Sequence, residues 1–258
     1  MERKVGTYDE GPVFYFGSDG ARPLIMLHGL CASAEFFDLA FEDQALVGRS
    51  ILAVDLPGFG ATPGPDQSSL EIMADAVRAV LDRESPEDDV WLIAYGVSAC
   101  VAARLIDDIS VLILIEGTLL PEHLELCSQI SGTSMQQFKQ DFAEMQDSIE
   151  VRLAESTALS DQGKLRQYGE AYRQCAPETV YETASIVCTD IEEGATIERL
   201  QSWDSPVTIV CGEESKYAST LKGLEASLPR ANIITVPNSR SYPMFDNPRG
   251  LYGILAEV

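Results

Sequence analysis

Short apolar runs alternate along this chain with segments whose apolar residues have helical spacing. The clearest runs are PLIMLHG (23–29), VWLIAY (90–95), VLILIEG (111–117) and PVTIVCG (206–212). Strands that are apolar on both faces must be covered on both, as in a parallel sheet between two layers of helices. Further strands are predicted at 12–16, 50–60 and 231–236, and helices at 70–81 and 97–108. The alternation therefore predicts an α/β fold with a mostly parallel, doubly wound sheet.

One long interval has helical patterns only. Its apolar residues are spaced by three and four positions, first Met135, Phe138, Phe142, Met145 and Ile149, then Leu165, Tyr168, Tyr172 and Cys175. This spacing predicts amphipathic helices, and Pro177 is suited to the first turn of another. We expect residues 119–205 to form a helical cap insertion, with residues 1–118 and 206–258 forming the core domain.

The charge balance restricts the partners. The chain has 18 Lys and Arg residues against 41 Asp and Glu residues, a net charge of −23. A surface this acidic repels nucleic acid and anionic lipid, so neither is expected as a partner. The start MERKVGTYDEG lacks the apolar core of a signal peptide, and no apolar stretch approaches the roughly 20 residues that span a bilayer. We expect an acidic cytoplasmic protein with a small-molecule ligand or substrate; its oligomeric state is left open.

The number and spacing of the cysteine and histidine residues argue against a metal site. The six cysteines are far apart, without a CxxC pair, and the only histidines are His28 and His123. Zinc sites need clustered Cys and His ligands. We therefore expect reduced, buried thiols, no metal and no cofactor.

Four segments in order resemble the α/β-hydrolase family: LIMLHGL (24–30), VDLPGFGAT (54–62), SPVTIVCGEES (205–215) and VPNSRSYPMFDNPRGL (236–251). In that family the first carries a His-Gly loop that supplies half of an oxyanion hole, and the second is an Asp-x-Pro-Gly-x-Gly turn. The third and fourth resemble the segments that carry the catalytic acid and the catalytic histidine. The resemblance covers nearly the whole chain and implies a nucleophile turn at LIAYGVSACVA (92–102).

The same alignment implies that all three triad positions are replaced. Gly96 stands at the nucleophile, Ser215 at the acid and Ser241 at the histidine, and no histidine follows His123. A serine hydroxyl needs an adjacent base to become nucleophilic. Without one, the acyl-enzyme route should be slower by a factor on the order of 10⁴ or more. The chain is interpreted as a divergent, triad-deficient member, a pseudoenzyme with respect to serine hydrolysis.

Several residues near this site have both a functional and a structural interpretation. Ser98 is either a nucleophile or a small residue at a tight helix–strand contact, and the missing base favours the latter. Glu116, after a buried strand, is either a general base with a raised pKa or a carboxylate bonded to loop N–H groups. His28 either orders the oxyanion loop or works in acid–base catalysis.

The resemblance also implies a set of ligand-binding groups. The N–H groups of Leu30 and Val97 are expected to converge as an oxyanion hole, and small residues at the triad positions should enlarge the pocket base. Tyr95 and Tyr242 either point hydroxyls at a ligand or pack, and Cys31 is either a thiolate nucleophile or a small buried residue. Arg240 is either a clamp for a carboxylate or a solvated loop arginine paired with an acidic residue. His123 begins the cap and is expected on its surface.

The predicted function is a pocket that binds a small carbonyl, ester or carboxylate compound. The protein is then a cofactor-free isomerase, lyase or cyclase, or a ligand-binding protein. The alternatives are an atypical hydrolase in which Glu116 activates water, and a non-catalytic scaffold for a protein partner. A pocket beneath the cap would favour a ligand, whereas a filled one would favour a scaffold.

Overall fold

A computed structural model describes residues 2–84 and 89–257. Eight strands form one sheet: β1 (Glu2–Tyr8), β2 (Gly11–Gly17), β3 (Ala21–Leu27), β4 (Arg49–Val54), β5 (Trp91–Tyr95), β6 (Val111–Ile115), β7 (Val207–Gly212) and β8 (Asn232–Val236). Their order across the sheet is β1-β2-β4-β3-β5-β6-β7-β8. The six strands β3 to β8 are parallel to one another, while β1 and β2 are antiparallel additions at one edge. The predicted mostly parallel α/β fold is confirmed.

Eleven α-helices are formed by the described residues: α1 (Leu70–Glu84), α2 (Ser98–Ala102), α3 (Glu125–Ser131), α4 (Met135–Asp147), α5 (Ile149–Ser156), α6 (Gln162–Gln174), α7 (Pro177–Glu192), α8 (Ala195–Ser202), α9 (Leu221–Ser227), α10 (Pro243–Asp246) and α11 (Pro248–Glu257). Short 3₁₀ helices lie at Ala34–Phe41, Gln44–Leu46, Ile106–Asp108, Pro121–His123 and Lys216–Thr220. None of the helices in the described part of the chain is long and apolar enough to cross a membrane.

Alternate residues of the central strands enter two separate cores. In β3, Ile25 and Leu27 belong to the core on the side of α1 and α2, whereas Leu24 and Met26 belong to the core on the side of α11. All four side chains are fully buried. Because successive side chains of a strand point to opposite faces, a strand buried on both faces is apolar at every position. This is why the uninterrupted apolar runs predict the inner strands.

Two local predictions differ from the structure. The predicted helix over 97–108 is only α2 and the 3₁₀ turn Ile106–Asp108. The apolar spacing from Met135 to Ile149 continues across a break, because α4 ends at Asp147 and α5 begins at Ile149. Strand β1 was not predicted, since ERKVGTY buries only Gly6 and its charged residues protect the sheet edge.

Six helices, α3 to α8, are inserted between β6 and β7. Their division from the core as residues 119–205 stays a prediction; the predicted core domain also includes residues 1, 85–88 and 258, which lie outside the described residues. One contact between the two parts is here called the Asp38 anchor. The buried Asp38 carboxylate accepts hydrogen bonds from Tyr168 Oη (2.7 Å) and Gln167 Nε2 (3.2 Å), and it pairs with Lys164.

Candidate functional site

The carboxyl ends of β5, β6 and β7 meet at one edge of the sheet, where ligands of open α/β sheets usually bind. Gly96 follows β5 directly and has φ +60°, a left-handed conformation that glycine adopts without strain. A Cβ placed on Gly96 would have only Gly29 Cα within 4 Å, at 3.9 Å. The turn therefore has room for a side chain but does not carry one.

Ser98 lies two residues beyond this turn and is fully buried. Its Oγ is hydrogen-bonded to the backbone carbonyl of His28 and lies 3.0 Å from the carbonyl oxygen of Tyr95. Within the described residues, no basic side chain is bonded to this hydroxyl. The contacts join the start of α2 to the His28–Gly29 loop, which favours the structural interpretation of Ser98.

We expect a fluorophosphonate probe to leave the protein unlabelled at neutral pH. Gly96, at the position aligned with the nucleophile, has no nucleophilic atom. The Ser98 hydroxyl is buried and donates to carbonyl groups. Intact-mass measurement after incubation with excess probe checks this, with an active serine esterase labelled in parallel. Stoichiometric labelling mapped to Ser98 would contradict the assignment.

His28 is buried, and its two ring nitrogens have protein partners. The N–H of Leu56 donates to Nε2 at 3.0 Å, so the ring hydrogen must lie on Nδ1, which donates to the Gly29 carbonyl at 2.8 Å. Burial lowers the pKa of His28, which keeps the ring neutral. These bonds fix the loop after β3, so the geometry supports the loop-ordering role more than acid–base work.

The expected oxyanion donors lie on two adjacent loops. The ideal Cβ position of Gly96 and the Cα of Gly29 are 3.9 Å apart, so the turn before Val97 packs against the loop before Leu30. Across residues 2–84 and 89–257, neither the Leu30 N–H nor the Val97 N–H has an acceptor. Two unpaired donors on adjacent loops are what an oxyanion hole requires, although their use in binding stays a prediction.

Cys31 follows the same loop with φ +57° and is 2% exposed. Burial raises the pKa of its thiol well above the ordinary value. A reactive cysteine is a thiolate in an exposed, electropositive environment. The environment of Cys31 has the opposite properties, which supports the interpretation as a small buried residue.

Glu116 follows β6 directly, with φ +49°, and is part-buried. Its Oε1 accepts a hydrogen bond from the Gly212 N–H at 2.8 Å, and its Oε2 accepts one from Ser215 Oγ at 2.6 Å. Desolvation raises the pKa of this carboxyl to about 7, against the lowering effect of both hydrogen bonds. Glu116 is therefore a group that gains and loses a proton near neutral pH.

Ser215 and Ser241 are neighbours across two loops. Their Oγ atoms are 3.2 Å apart, and Ser215 Oγ also accepts the N–H of Tyr217 at 3.1 Å. The positions aligned with the family's acid and histidine thus converge, and Glu116 is bonded to one of them. A chain of contacts runs from Glu116 through Ser215 to Ser241.

These groups border an open cleft of about 900 Å³. Its lining is rich in hydroxyl and carboxylate groups: Tyr95, Glu116, Thr118, Leu120, Glu122, His123, Glu125, Leu126, Ser215, Lys216, Tyr217, Ser219, Thr220, Gly223 and Ser241. A volume of this size accommodates a small organic molecule. The cleft lies beside the start of the inserted helices, against the loop after β7.

Tyr95 and Tyr242 form an aromatic pair beside the chain of contacts. Their ring centroids are 5.7 Å apart, and Tyr95 Oη donates to the Ser241 carbonyl at 3.0 Å. Burial raises the pKa of both phenols, so both are neutral. Tyr95 holds the backbone of the Ser241 loop and also borders the cleft, whereas Tyr242 is not among the cleft residues. Contact of either side chain with a ligand stays a prediction.

His123 is part-buried and borders the cleft, in contrast to the expected position on the cap surface. Its Nδ1 accepts the N–H groups of Leu119 and Leu120 at 3.1 and 3.2 Å, so Nε2 carries the hydrogen and donates to Thr220 Oγ1 at 2.8 Å. The ring stacks on Tyr217 at 4.2 Å. Burial lowers the pKa of His123 to about 4. His123 therefore joins the start of the insertion to the floor of the cleft.

Arg240 has a role that the sequence did not predict. Its exposed guanidinium donates to the carbonyl groups of Glu155 and Thr157 at the end of α5, at 3.1 and 3.3 Å. Its backbone N–H donates to Asp246 Oδ2 at 2.7 Å. Arg240 is not among the residues that line the cleft, which does not support the ligand clamp. It is an exposed loop arginine whose partners are backbone carbonyls at the end of α5 instead of acidic side chains.

Other cleft residues were missed altogether, notably Thr118, Tyr217 and Thr220. Tyr217 Oη donates to the Gly117 carbonyl at 2.7 Å, and Thr220 Oγ1 donates to the Tyr217 carbonyl. A single hydroxyl residue in a loop has no periodicity or motif that marks it. In the described part of the chain, no group of three or more His, Cys, Asp and Glu side chains is placed to hold a metal ion.

The turn at Gly96, the His28–Gly29 loop and the strand order are the geometry of one fold family. A model described as "Alpha/beta hydrolase family" matches residues 24–253. The chain belongs to the alpha/beta hydrolase family. Among curated proteins, no sequence match was found.

Solved structures agree with this family assignment. An esterase from Exiguobacterium antarcticum has a TM-score of 0.78 at 14% identity, covering 99% of this chain and 98% of its own. A malate-bound thermophilic esterase from Thermogutta terrifontis has a TM-score of 0.75 at 16% identity, covering 100% and 97%. A variant of AqdC, solved with the Pseudomonas quinolone signal whose ring it cleaves, has a TM-score of 0.77 at 12% identity, covering 99% and 98%. Identities this low carry the fold and not the activity.

Proposed function

We propose that this alpha/beta hydrolase family member binds a small carbonyl, ester or carboxylate compound in the cleft and performs proton transfer on it with Glu116. It does so without an acyl-serine intermediate, as an isomerase, lyase or cyclase that needs no cofactor. The observation that carries the proposal is the Glu116 carboxyl, which borders a cleft of about 900 Å³ and has its pKa raised to about 7.

A general base works best when its pKa lies near the working pH, because it is then both available and basic enough. Glu116 is close to half ionised at neutral pH, whereas an ordinary glutamate is almost fully ionised and weakly basic. Its raised pKa is caused mainly by desolvation at the end of β6. Perturbed carboxyls in clefts are the usual mark of acid–base sites.

The serine route is disfavoured by the same site. Gly96 supplies no hydroxyl, and Ser215 and Ser241 supply no imidazole, so an attacking serine would have no base of the usual kind. Within residues 2–84 and 89–257 the N–H groups of Leu30 and Val97 have no acceptor, which suits an oxygen that gains negative charge. Glu116 would accept a proton from the compound bound in the cleft and would then return it. Leu30 and Val97 are not among the residues that line this cleft, so their N–H groups would hold an oxygen only of a ligand that extends beyond that lining.

A panel of small carbonyl compounds in D₂O is the direct test. Proton NMR reports deuterium exchange, isomerisation, elimination and ester cleavage in one spectrum. We expect at least one compound to be converted by the wild type, with a rate that rises through an apparent pKa near 7. Glu116→Gln should lower this rate by a factor on the order of 10² or more and leave the affinity almost unchanged.

A matched control is Glu214→Gln, which removes an exposed carboxylate from the neighbouring loop. It should convert the same compound at the parent rate. Conversion that survives Glu116→Gln would contradict the proposal. Ligand binding without any conversion would leave a binding protein instead of an enzyme.

Hydrolysis is the second candidate. It is favoured by the Leu30 and Val97 N–H groups, which have no acceptor in the described part of the chain, and by the likeness to esterase structures. Glu116 would then activate water instead of taking a proton from the compound. Ester cleavage that is lost in Glu116→Gln, with no exchange or isomerisation in the panel, would support this alternative.

A further inference from the structure

Two serine hydroxyls connect Glu116 with the cleft. Ser215 Oγ lies 2.6 Å from Glu116 Oε2 and 3.2 Å from Ser241 Oγ. Both serines border the cleft, but Ser215 is only 7% exposed, whereas Ser241 is part-buried and more accessible. Among the described residues, the Ser241 hydroxyl has no partner other than Ser215. Glu116 borders the cleft as well, but each of its carboxylate oxygens already has a protein partner, Gly212 N–H or Ser215 Oγ, whereas Ser241 Oγ is the end of this hydrogen-bond chain with a position open to a ligand.

Counting hydrogens fixes the direction of these bonds when Glu116 is ionised. Each serine hydroxyl has one hydrogen and two lone pairs, and a carboxylate only accepts. Ser215 must then donate to Glu116, while its lone pairs accept the Tyr217 N–H and the Ser241 hydroxyl. Ser241 has used its only hydrogen, so it offers the cleft two lone pairs and no donor.

A proton on Glu116 reverses every bond of the chain. Because Oε1 accepts the Gly212 N–H, the proton belongs on Oε2, which then donates to Ser215 Oγ. With both lone pairs of Ser215 occupied, its hydrogen turns to Ser241. The Ser241 hydrogen is displaced into the cleft, and Ser241 becomes a donor.

We propose that Ser241 is the group that exchanges a proton with the ligand, and that Ser215 passes this proton between Ser241 and Glu116. The inference rests on the proposed acid–base role of Glu116 and adds a route and a substrate class. A ligand O–H or N–H gives its proton to Ser241 Oγ as the Ser241 hydrogen moves to Ser215 Oγ and the Ser215 hydrogen moves to Glu116 Oε2. The ligand ends with one proton fewer and Glu116 with one more, while both serines are unchanged.

The route restricts the class of substrate. A hydroxyl accepts hydrogen bonds from O–H and N–H groups, but C–H groups are poor donors to it. The proton that moves is thus on oxygen or nitrogen, and in conjugation with the carbonyl group, as in an enol, phenol or imide. Unconjugated alcohols hold their proton too tightly for a carboxylate with a pKa of about 7.

Near neutral pH, Glu116 is the group whose protonation sets the direction of the hydrogen bonds from Glu116 through Ser215 to Ser241. The titratable groups facing it from β5, from β7 and from the loops after β7 and β8 are Tyr95, Cys211, Tyr217 and Tyr242, and burial raises the pKa of each. They are therefore neutral in this range. The charged side chains of the cleft, Glu122, Glu125 and Lys216, are not hydrogen-bonded to Glu116.

Neutron diffraction from deuterium-exchanged crystals at pD 5.5 and 8.5 tests the reversal without a substrate. At pD 8.5 we expect the Ser215 deuterium toward Glu116 and the Ser241 deuterium toward Ser215. At pD 5.5 we expect deuterium on Glu116 Oε2 and the Ser241 deuterium in the cleft. A Ser241 deuterium that points the same way at both values would overturn the proposal, even if Glu116 proved catalytic in the NMR panel.

Titration of ¹³C-labelled glutamate by NMR, with Glu116 assigned through Glu116→Gln, adds a second measurement. Ser215→Ala should raise the pKa of Glu116 by about one, since a donor to the charged form is lost. Ser241→Ala should raise it by a few tenths through the weakened Ser215 bond, and Ser241→Thr should restore the parent value. Ser239→Ala is the matched control, because Ser239 lies on the same loop but is not part of the Glu116–Ser215–Ser241 hydrogen-bond chain. An identical titration in Ser241→Ala and Ser239→Ala would show that Ser241 is not coupled to Glu116.

Discussion

Glu116→Gln is expected to raise the free energy of unfolding by about 2–3 kcal/mol at pH 8, with much less effect at pH 5. The folded-state pKa of Glu116 is about 7, above its ordinary value of 4.5. Between these values the folded state binds more protons than the unfolded state, so this group's contribution to stability falls as pH rises. Above pH 7 the parent holds a desolvated charge, whereas glutamine does not.

Glutamine can keep both contacts of the carboxyl. Its Oε1 can accept the Gly212 N–H, and its Nε2 can donate to Ser215 Oγ, so the fold loses no hydrogen bond at this position. Urea unfolding followed by circular dichroism at pH 5 and pH 8 measures the difference. Glu214→Gln controls for the removal of one charge from a chain of net charge −23. Equal effects of the two variants at both pH values would mean that the charge of Glu116 is well solvated.

The triple variant Gly96→Ser, Ser215→Asp, Ser241→His is expected to hydrolyse 4-nitrophenyl acetate at least about 10²-fold faster than the parent. A side chain at Gly96 meets only Gly29 Cα at 3.9 Å, and the two serine Oγ atoms are 3.2 Å apart. Positions 215 and 241 are therefore adjacent, position 96 has room for the serine, and the variant tests whether all three converge. Each single change should have no effect, because triad members act as a unit.

The matched control carries alanine in place of serine at Gly96, together with the same two other changes. It has the same left-handed backbone strain, about 1–2 kcal/mol, but no nucleophile. Arg240 should be left unchanged, since it satisfies the carbonyl groups of Glu155 and Thr157. If both variants fold and hydrolyse the ester at the same rate, the three positions do not form a triad site.

The fold could be predicted because strands that are buried on both faces of the sheet are apolar at every position, and such runs are visible in the sequence. Each inner strand is an apolar run, and the alternate residues of β3 enter separate cores as such a run requires. Strand β1 was missed because an edge strand with exposed charges has no such pattern. The break at Ser148 was missed because apolar spacing continues across it.

Sequence motifs pointed to three positions of the candidate site, whose role as replaced triad positions stays a prediction. Gly96, Ser215 and Ser241 were located from short segments, and the last two are neighbours in the structure. The partners of Glu116 come from 96 and 99 residues away, so they depend on the pairing of β6 with β7. The buried role of His123 likewise depends on a 3₁₀ turn 97 residues later. Contacts of this range leave no pattern in a single sequence.

The Asp38 anchor bears on how a ligand would enter and leave. It holds α6 against the core through a buried carboxylate with three partners, and separating them would leave a charge without compensation. The cleft, however, is open at the side, between the start of the insertion and the loop after β7. A ligand could therefore move between the cleft and the solvent without separation of the inserted helices from the core. The residence time of a ligand bound there would then be set by its contacts inside the cleft, and the width of the mouth would limit its size.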